Sequence, residues 1–485
     1  MTSASAPSSS PKPLLAAVAS AVVPGVGQFI AGNFRRGAAL VGVDIAILAG
    51  LYFYFGDTLN TAKLWLQPSQ LAAMMVGNIV LLGYRIWATD DAYRLAKRQQ
   101  PRAVSAPAGA MLAAGAAVVV ILAIPHVVFG YFDVVQYDLI TTVFGSNSPT
   151  TTATAVTSPP ATTETGGTSP TTSTTEPLVV AVAPWDQRER LNILLIGGDF
   201  GEGRTGIRTD TMITVSIDPV TGDTAMFSVP RNWTQSPLPE GMGIWDCNCY
   251  PELINELWVA GENNPEAFPG QGTPSENAVK GVISEFLGIP IHYYAMVNLD
   301  GFVEVVDALG GVEVYVPSPL YDAEYPNEDG VTTQVIDIRV GLQKFDGSLA
   351  LAYSRSRNQD SDYFRMSRQR CVIEAMVDQA DPISLISNFG SLASVIKDNM
   401  QTDIPIEVLP LLIELKPVID LENLVSIRFI PPEYHLKFRD DGGLGRVPNI
   451  ELVHEHVNLV IKDPARAVEE LGLDQLDEVC GDPNA

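Results

Sequence analysis

The residues with the clearest chemical potential are arginines gathered in one segment, YSRSRNQDSDYFRMSRQR, which runs from Tyr353 to Arg370. The segment contains five arginines and no lysine, although the whole chain has a formal net charge of -26. A guanidinium is always charged and offers a rigid fork that matches two phosphate oxygens, whereas an ammonium is a flexible point charge. This composition favours binding of a small phosphorylated anion over a merely solvated charged turn.

Two predicted elements would carry these arginines. The alternating text LALAYSRSR predicts a strand, on which Arg355 and Arg357 would share one face. The text after Asp362 predicts a helix, on which Arg365 lies three residues before Arg368 and four before Gln369, so that one face holds them. The arginines leaving the strand and the polar groups of the helix are therefore expected to converge on one anion.

A second group of polar residues surrounds a glycine-rich loop much earlier in the chain. Asp199 follows a predicted strand over residues 192–198, and Asp210 precedes the next one, after Arg208. The returning strand of the same hairpin ends in Arg231. Each acid alone is compatible with an ordinary turn, cap or surface ion pair, but two carboxylates can also hold Mg²⁺ together with substrate phosphates. Ligands of α/β sheets bind at strand ends, which favours the functional interpretation.

The remaining pattern after residue 185 alternates strands and helices. It includes a capping box opened by Thr273, a strand over 291–299, a helix capped by Asp300, a strand over 311–316, helices over 382–399 and 405–417, and a strand over 424–430. We therefore predict an α/β fold, with a single extracytoplasmic domain at residues 186–462 whose central mixed sheet is flanked by helices. A C-terminal tail would occupy residues 463–485.

The N-terminal part is expected to be an all-α transmembrane region at residues 14–132, after a tail of residues 1–13. Four apolar stretches, at 14–31, 37–55, 71–88 and 110–129, each approach the ~20 residues that cross a bilayer. The basic loop after the third stretch should be cytoplasmic, so the chain beyond the fourth should lie outside a cytoplasmic membrane that it crosses several times. The glycines and proline of the first stretch suit a hairpin or re-entrant turn as well as a span, which leaves three or four segments. Asp44 is an intramembrane acid and a functional candidate.

Several other features limit the possible functions. Residues 146–184 form a Ser/Thr/Pro-rich linker, and the acidic balance argues against nucleic acid as a partner. Cys247 and Cys249 form a C-x-C motif without a second cysteine pair, which disfavours zinc. The four cysteines instead predict one or two disulfides. Cys371 with Cys480 would close a long loop, and Cys247 with Cys249 would make a tight one.

Several long motifs in a fixed order resemble the LytR–CpsA–Psr family of bacterial envelope proteins. They are NILLIGGD, GxRTDTMxTVSIDP, SVPR, the Ile254-Asn255 pair, VNLDGFVEVVDALGGVEV and ALAYSRSR…DSDxxRMxRQR, and the resemblance runs from about Arg190 to Ile461. It implies a membrane-anchored phosphotransferase that uses Mg²⁺ (or Mn²⁺). Such an enzyme moves a glycopolymer from a polyprenyl pyrophosphate carrier in the lipid membrane to peptidoglycan and forms a phosphodiester.

The resemblance also assigns roles by matched position. The metal-linked acids are Asp199 and Asp210, and either could take the proton of the acceptor hydroxyl. The pyrophosphate-binding and catalytic groups would be Arg208, Arg231, Arg355, Arg357, Arg365 and Gln369, with support from Asn255, Asp362 and Arg368. The sequence departs from the family pattern in having Asn232 where an acid often follows the proline–arginine pair, and Phe200 directly after the first aspartate.

Two alternatives come from other functional classes. A polyprenyl-pyrophosphate phosphatase would use the same residues with water in place of the sugar hydroxyl. A non-catalytic membrane regulator or lipid-binding scaffold would not need the acids and arginines, which are intact here. The segments predicted to be cytoplasmic also lack the sequence pattern of a basic helix-turn-helix. These points favour the transferase.

Overall fold

The computed structural model describes residues 12–56, 61, 64–99, 108–144, 189–199, 206–327, 332–356, 362–379, 389–415, 419, 424–438 and 445–473. The chain forms two compact units, residues 1–142 with 406–413 and residues 143–405 with 414–485. The predicted linker at 146–184, Arg357, Cys480 and the side chain of Asp362 lie outside the described residues.

The N-terminal unit is built from helices. They are α1 (Lys12–Val22), α2 (Val26–Ile30), α3 (Phe34–Phe55), α4 (Pro68–Gln99) and α5 (Ala108–Val143). Three segments are long and apolar enough to cross a membrane, namely Phe34–Phe55, Pro68–Gln99 and Met111–Val143. Three of the four predicted apolar stretches therefore form helices of membrane-spanning length.

The first apolar stretch is instead broken into the short helices α1 and α2. Gly25 adopts φ 104°, and a Cβ at this position would lie 2.5 Å from the carbonyl oxygen of Gly37, so the bend requires glycine. The buried side chain of Gln28 donates from Nε2 to the carbonyl oxygen of Ala88, at 2.8 Å. This bond fastens α2 to α4 and satisfies a polar group that packing alone would leave unpaired.

The second unit contains a six-stranded mixed sheet, as predicted. Its order is β11-β6-β1-β2-β3-β12; β1 pairs in parallel with β6 and β3 with β12, while the other neighbours are antiparallel. Four further strand pairs, β4/β5, β7/β10, β8/β9 and β13/β14, lie outside it. The strands are Leu191–Gly198 (β1), Thr209–Ile217 (β2), Thr224–Ser228 (β3), Ser236–Pro237 (β4), Cys249–Tyr250 (β5), Tyr293–Asn298 (β6), Val312–Val316 (β7), Leu320–Pro326 (β8), Thr333–Ile338 (β9), Gly341–Phe345 (β10), Met400–Thr402 (β11), Val425–Arg428 (β12), His435–Phe438 (β13) and Arg446–Pro448 (β14).

Helices cover the two faces of this sheet. They are Leu257–Asn263 (α6), Pro274–Leu287 (α7), Leu299–Ala308 (α8), Gly347–Arg355 (α9), Asp362–Gln379 (α10), Phe389–Asn399 (α11), Ile450–Lys462 (α13) and Pro464–Leu471 (α14). A further helix, Leu409–Leu415 (α12), falls mostly in the first unit. Leu194 and Ile196 of β1 point into a core shared with α7 and α13. Leu195 alternates to the other face and is half-buried. The predicted capping box at Thr273 is present at the start of α7.

One element of the arginine segment differs from its prediction. Residues 347–355 form helix α9, so placing Arg355 on a strand was wrong. Asp346 is the helix N-cap, and its side chain accepts a hydrogen bond from the amide of Leu349 at 2.8 Å. Leucines and alanines follow, and both residue types favour a helix. The alternation that suggested a strand arose because Leu and Ala repeat in a pattern compatible with both periods.

Two smaller points concern helix capping and cysteines. The N-cap of α8 is Asn298, whose side chain accepts from the amide of Gly301 at 2.7 Å, so assigning this cap to Asp300 was wrong. Cys247 is disulfide-bonded to Cys249. Cys371 also belongs to a disulfide, and its partner lies outside the described part of the chain.

Candidate functional site

A β-bulge brings the two predicted acids to the same end of the sheet. The β1–β2 ladder pairs Gly197 with Thr211 and then Gly198 with Thr209, which leaves Asp210 as the extra residue of β2. A bulge turns its residue out of the regular pleat and can aim the side chain at a ligand. Beyond the ladder, the amide of Asp199 donates to the carbonyl oxygen of Arg208 at 3.0 Å.

Asp210 is held in a cationic environment. Its Oδ1 lies 2.8 Å from Nη1 of Arg231 and accepts a second bond, of 3.0 Å, from Nδ2 of Asn255. Nη2 of Arg365 donates to the backbone oxygen of Asp210 at 3.3 Å. Burial raises the pKa of Asp210, but the two guanidinium groups and the Asn255 amide together hold this pKa below its ordinary value. The carboxylate is therefore charged at neutral pH.

Helix α10 presents two of its predicted polar groups to this site. Arg365 and Gln369 lie one turn apart, are 4% and 8% exposed, and both line the pocket described below. Gln369 donates from Nε2 to the carbonyl oxygen of Ser354 at 3.2 Å. Of the two spacings considered from the sequence, the four-residue one therefore defines the face of α10 that meets the pocket.

Arg368 lies on a different face of α10 and holds the end of α9. Its Nε donates to the carbonyl oxygen of Tyr353 at 2.7 Å, and its Nη2 donates to that of Ser356. The guanidinium also lies 5.6 Å from the centre of the Tyr353 ring. These contacts support the segment that carries Arg355, so the support predicted for Arg368 acts through packing.

The other predicted arginines have different positions. Arg355 is the last residue of α9 and lines the pocket. Within the described residues its side chain makes no hydrogen bond or ion pair, so the guanidinium is available to a ligand. Arg208 is exposed, and it is not among the residues that line the pocket. The structure thus brings Arg231, Arg355 and Arg365 to one cavity and leaves Arg208 at its periphery.

The pocket has a volume of about 590 Å³ and lies between the sheet and helices α8, α9 and α10. Most of its wall is apolar and comes from β1, β2, β6, β8 and these helices, through Leu195, Ile213, Ala295, Val297, Phe302, Val305, Tyr325, Leu351, Ile373 and Met376. The polar part of the wall includes Asp199, Asp210, Arg231, Arg355, Arg365 and Gln369. One cavity therefore contains both an apolar region and a group of carboxylates and guanidiniums.

Three residues of this pocket were not anticipated. Asp322 of β8 accepts at Oδ2 a 2.6 Å hydrogen bond from the hydroxyl of Ser356, and both residues are buried. The hydroxyl of Ser354 is buried at the pocket wall, and it has no hydrogen-bond partner in the described chain. Ser354 directly precedes Arg355. On a strand, adjacent side chains point to opposite faces, so the predicted strand would have placed this hydroxyl on the face away from the arginines. Asp322 lies in a different part of the sequence, and no local pattern connects it with the site.

Carboxylates that could hold a metal ion are few. Among the residues that the structure describes, no group of three or more His, Cys, Asp or Glu side chains has the arrangement of a metal site. Asp199 and Asp210 both line the pocket and are the two predicted metal-linked acids. A metal here would need further ligands from substrate or water, as is usual for Mg²⁺.

The chain has recognisable relatives. A family model described as the LytR_cpsA_psr family matches residues 152–429. A protein of Oceanobacillus iheyensis named polyisoprenyl-teichoic acid–peptidoglycan teichoic acid transferase TagU is 32% identical over 231 residues, which cover 47% of this chain and 63% of the relative. The protein of the same name from Bacillus subtilis is 28% identical over 221 residues, covering 45% and 61%. The matches thus span less than two thirds of these relatives.

Solved structures also match part of the chain. Bacillus subtilis TagV has 24% sequence identity and a TM-score of 0.42, with 56% of this chain and 96% of that chain covered. A structure described as TagT bound to LIIa-WTA has 19% identity and a TM-score of 0.41, with 60% and 94% covered.

Proposed function

Because the chain belongs to the LytR–CpsA–Psr family, we propose that it is a phosphotransferase that moves a glycopolymer from a polyprenyl pyrophosphate carrier to peptidoglycan. The observation that carries this proposal is the pocket of about 590 Å³, whose apolar wall is continuous with a wall of arginines and carboxylates. A lipid pyrophosphate likewise consists of an apolar chain attached to a compact polyanion, so each part of the ligand would meet the matching region of the wall.

The polar wall suits a pyrophosphate. Arg231, Arg355 and Arg365 supply up to three guanidinium groups, and the buried hydroxyl of Ser354 offers a further donor. Fixed donors aimed at phosphoryl oxygens stabilise the charge that develops as the bond to the leaving phosphate breaks. Arg355 makes no protein contact among the described residues that a ligand would have to displace. Arg357, two residues further on, belongs to the same proposed set.

The two aspartates fit Mg²⁺ or Mn²⁺ together with substrate oxygens. The contacts of Asp210 to Arg231 and Asn255 both use Oδ1, which leaves Oδ2 for a metal. Its depressed pKa keeps this carboxylate charged, as a ligand must be. Such an ion would offset negative charge on the pyrophosphate. The set of two carboxylates is small, but Mg²⁺ commonly binds through one or two carboxylates plus phosphates.

The low pKa of Asp210 also suggests which of the two aspartates acts as the base. A carboxylate with a depressed pKa is a weak base, so Asp210 is poorly suited to accept a proton at neutral pH. We assign to Asp199 the removal of the proton from the sugar hydroxyl of the acceptor. Gln369 would orient a phosphoryl oxygen without adding charge.

The apolar wall would hold the first isoprene units of the carrier. Ligand pockets typically measure about 300–1,000 Å³, so this one is large enough for part of a polyprenyl chain and too small for all of it. The rest of the lipid would stay in the membrane. This arrangement needs the second unit outside the cytoplasm, where peptidoglycan is found.

The basic residues of the N-terminal unit favour that orientation. Lys97 and Arg98 lie in the last turn of α4, and Arg35 and Arg36 lie in the first turn of α3. The positive-inside rule places both ends in the cytoplasm, so α5 would lead the chain outward and the N-terminus would be inside.

The experiment uses the full chain in lipid nanodiscs with a labelled polyprenyl-pyrophosphoryl sugar, Mg²⁺ and a peptidoglycan oligomer. We expect label to move to the oligomer, and Asp210→Asn and Arg365→Ala to lower the rate at least about tenfold, which corresponds to about 1.4 kcal/mol, since each removes a charge beside the proposed pyrophosphate. Arg466→Ala, which changes an exposed arginine of α14, serves as the matched control.

The outcomes separate the alternatives. Release of sugar phosphate without transfer to the oligomer would indicate a phosphatase. Carrier binding without turnover would indicate a scaffold. Transfer at an undiminished rate in both site variants would refute the assignment of the site.

A further inference from the structure

The carboxylate of Asp133, in helix α5, is buried without a hydrogen-bond partner among the described residues. Asp133 is 0% exposed, and neither of its carboxylate oxygens has a hydrogen-bond partner in the described chain. It belongs to the segment Met111–Val143, which is apolar enough to span a membrane. Elsewhere on the same helix, Val127, Val128 and Val134 are exposed apolar residues. An isolated buried carboxylate is costly unless it gains a proton or a cation.

Gln136 lies one turn further along the same buried face. Its Nε2 donates to the carbonyl oxygen of Trp65 at 3.2 Å, so the amide orientation leaves Oε1 as an acceptor. This Oε1 is also buried without a partner among the described residues. Residues three apart on a helix are neighbours, so Asp133 and Gln136 together present three acceptor oxygens and no donor.

His126 extends this face toward the start of the helix. Its Nδ1 lies 2.5 Å from Oδ1 of Asn78, while Nδ2 of Asn78 donates to the carbonyl oxygen of His126 at 2.9 Å. Since the amide oxygen can only accept, Nδ1 of the neutral ring carries the proton and Nε2 is an acceptor. This Nε2 is buried and has no partner within the described part of the chain. The buried face of α5 therefore offers acceptors at His126, Asp133 and Gln136.

Arg85, the cation that interacts electrostatically with His126, is engaged by other groups. Arg85 donates to the carbonyl oxygens of Ala21 and Val22, at 2.7 and 3.1 Å, and thereby closes the end of α1. It also faces Asp44, so the intramembrane acid singled out from the sequence has a compensating charge. Asp133 has none among the described residues.

We propose that Asp133 and Gln136 form a buried binding site in the long helix α5 for one monovalent cation, either a proton or an alkali metal ion. One carboxylate balances one positive charge, and three oxygens suit a hard cation. A proton on Asp133 would donate to Oε1 of Gln136, whereas a metal ion would bridge the two side chains. His126, seven residues away and about 10 Å along the axis, is the next acceptor on a path from this site. The site does not depend on the phosphotransferase proposal.

The first test is calorimetric titration of the full chain in nanodiscs with NaCl at alkaline pH, with choline chloride as the reference salt. We expect one Na⁺ per chain, binding at least about tenfold weaker in Asp133→Asn, and weakened binding in Gln136→Leu. Asp138→Asn is the matched control, because Asp138 is exposed on the same helix. Asparagine has nearly the shape of aspartate, so the main variant should still fold.

The second test identifies a proton as the occupant. The unfolding temperature of the wild type should then rise relative to Asp133→Asn as the pH falls, because only the wild type gains a proton there. His126 titrates on the same face, but it is present in both proteins and cancels in the comparison. Equal responses of wild type and Asp133→Asn to both Na⁺ and pH would overturn the proposal.

Discussion

Two buried arginines of α10, three residues apart, should have different effects on stability and on the transfer rate when each is replaced by alanine. Arg368 donates to the backbone oxygens of Tyr353 and Ser356 and stacks on the Tyr353 ring, whereas Arg365 faces the pocket and Asp210. The prediction is that Arg368→Ala mainly destabilises the fold, while Arg365→Ala mainly removes activity.

The loss of stability expected for Arg368→Ala can be estimated from the contacts of Arg368. Each hydrogen bond from a charged donor contributes roughly 1.5–3 kcal/mol, and a partly buried cation–π contact adds about 1 kcal/mol. Because such contributions are not additive, we expect a loss of about 4 kcal/mol in the free energy of unfolding. At ~2 °C per kcal/mol for a large domain, the unfolding temperature should fall by about 8 °C. Arg365 makes a longer bond of 3.3 Å beside a pocket that water can fill, so its loss should cost about 1 kcal/mol.

The assay is thermal unfolding of a fragment of residues 186–485, in parallel with the transfer rate of the full chain. Arg368→Lys should fall between wild type and alanine, because lysine keeps the charge but cannot make both bonds with a planar fork. The reasoning would be refuted if Arg368→Ala unfolded at the wild-type temperature, or if Arg365→Ala were the less stable of the two.

Three further predictions concern residues around the pocket and the sheet. Ser354→Ala should raise KM for the lipid pyrophosphate about tenfold or more without lowering stability, measured by transfer kinetics and thermal unfolding, because its hydroxyl has no protein partner in the described chain. Asp322→Ala should lower kcat and stability together, because it orphans the buried hydroxyl of Ser356; Asp322→Asn, which can still accept, should recover most of both. His292 is neutral because burial, aided by Lys280, lowers its pKa from 6.5 to about 4. Protonation therefore favours the unfolded chain, so stability should decline as the pH falls from 6.5 toward 4, and His292→Asn should flatten this part of a pH–melting curve.

The acids of the site were predictable from sequence because their positions follow from strand ends. Asp199 and Asp210 flank a loop between two clear strands, and Arg231 ends the next one, so any antiparallel hairpin brings them together. The bulge was not predictable, because it depends on how many residues each strand contributes to one ladder. Neither was Asp322, whose bond to Ser356 joins segments that are distant in sequence.

The arginine segment illustrates a different limit. Arg355, Arg365 and Gln369 line one pocket, but α9 was predicted as a strand because alternating Leu and Ala satisfy both periods over a short run. The N-cap at Asp346 was the local signal for a helix. Assigning Arg368 to the site required knowing which face of α10 meets the pocket, and that face is fixed by packing against Tyr353.

The bulge at Asp210 also makes strand length a separate determinant of the geometry of the candidate site. One additional glycine between Gly197 and Gly198 would give Asp210 a partner and restore an uninterrupted ladder. Leu194 and Ile196 would keep their places in the core, so the sheet should still form. The carboxylate, however, would return to the ordinary alternation of the strand and lose its approach to Arg231. A perfectly regular hairpin would therefore lack the carboxylate position on which the proposed transfer depends.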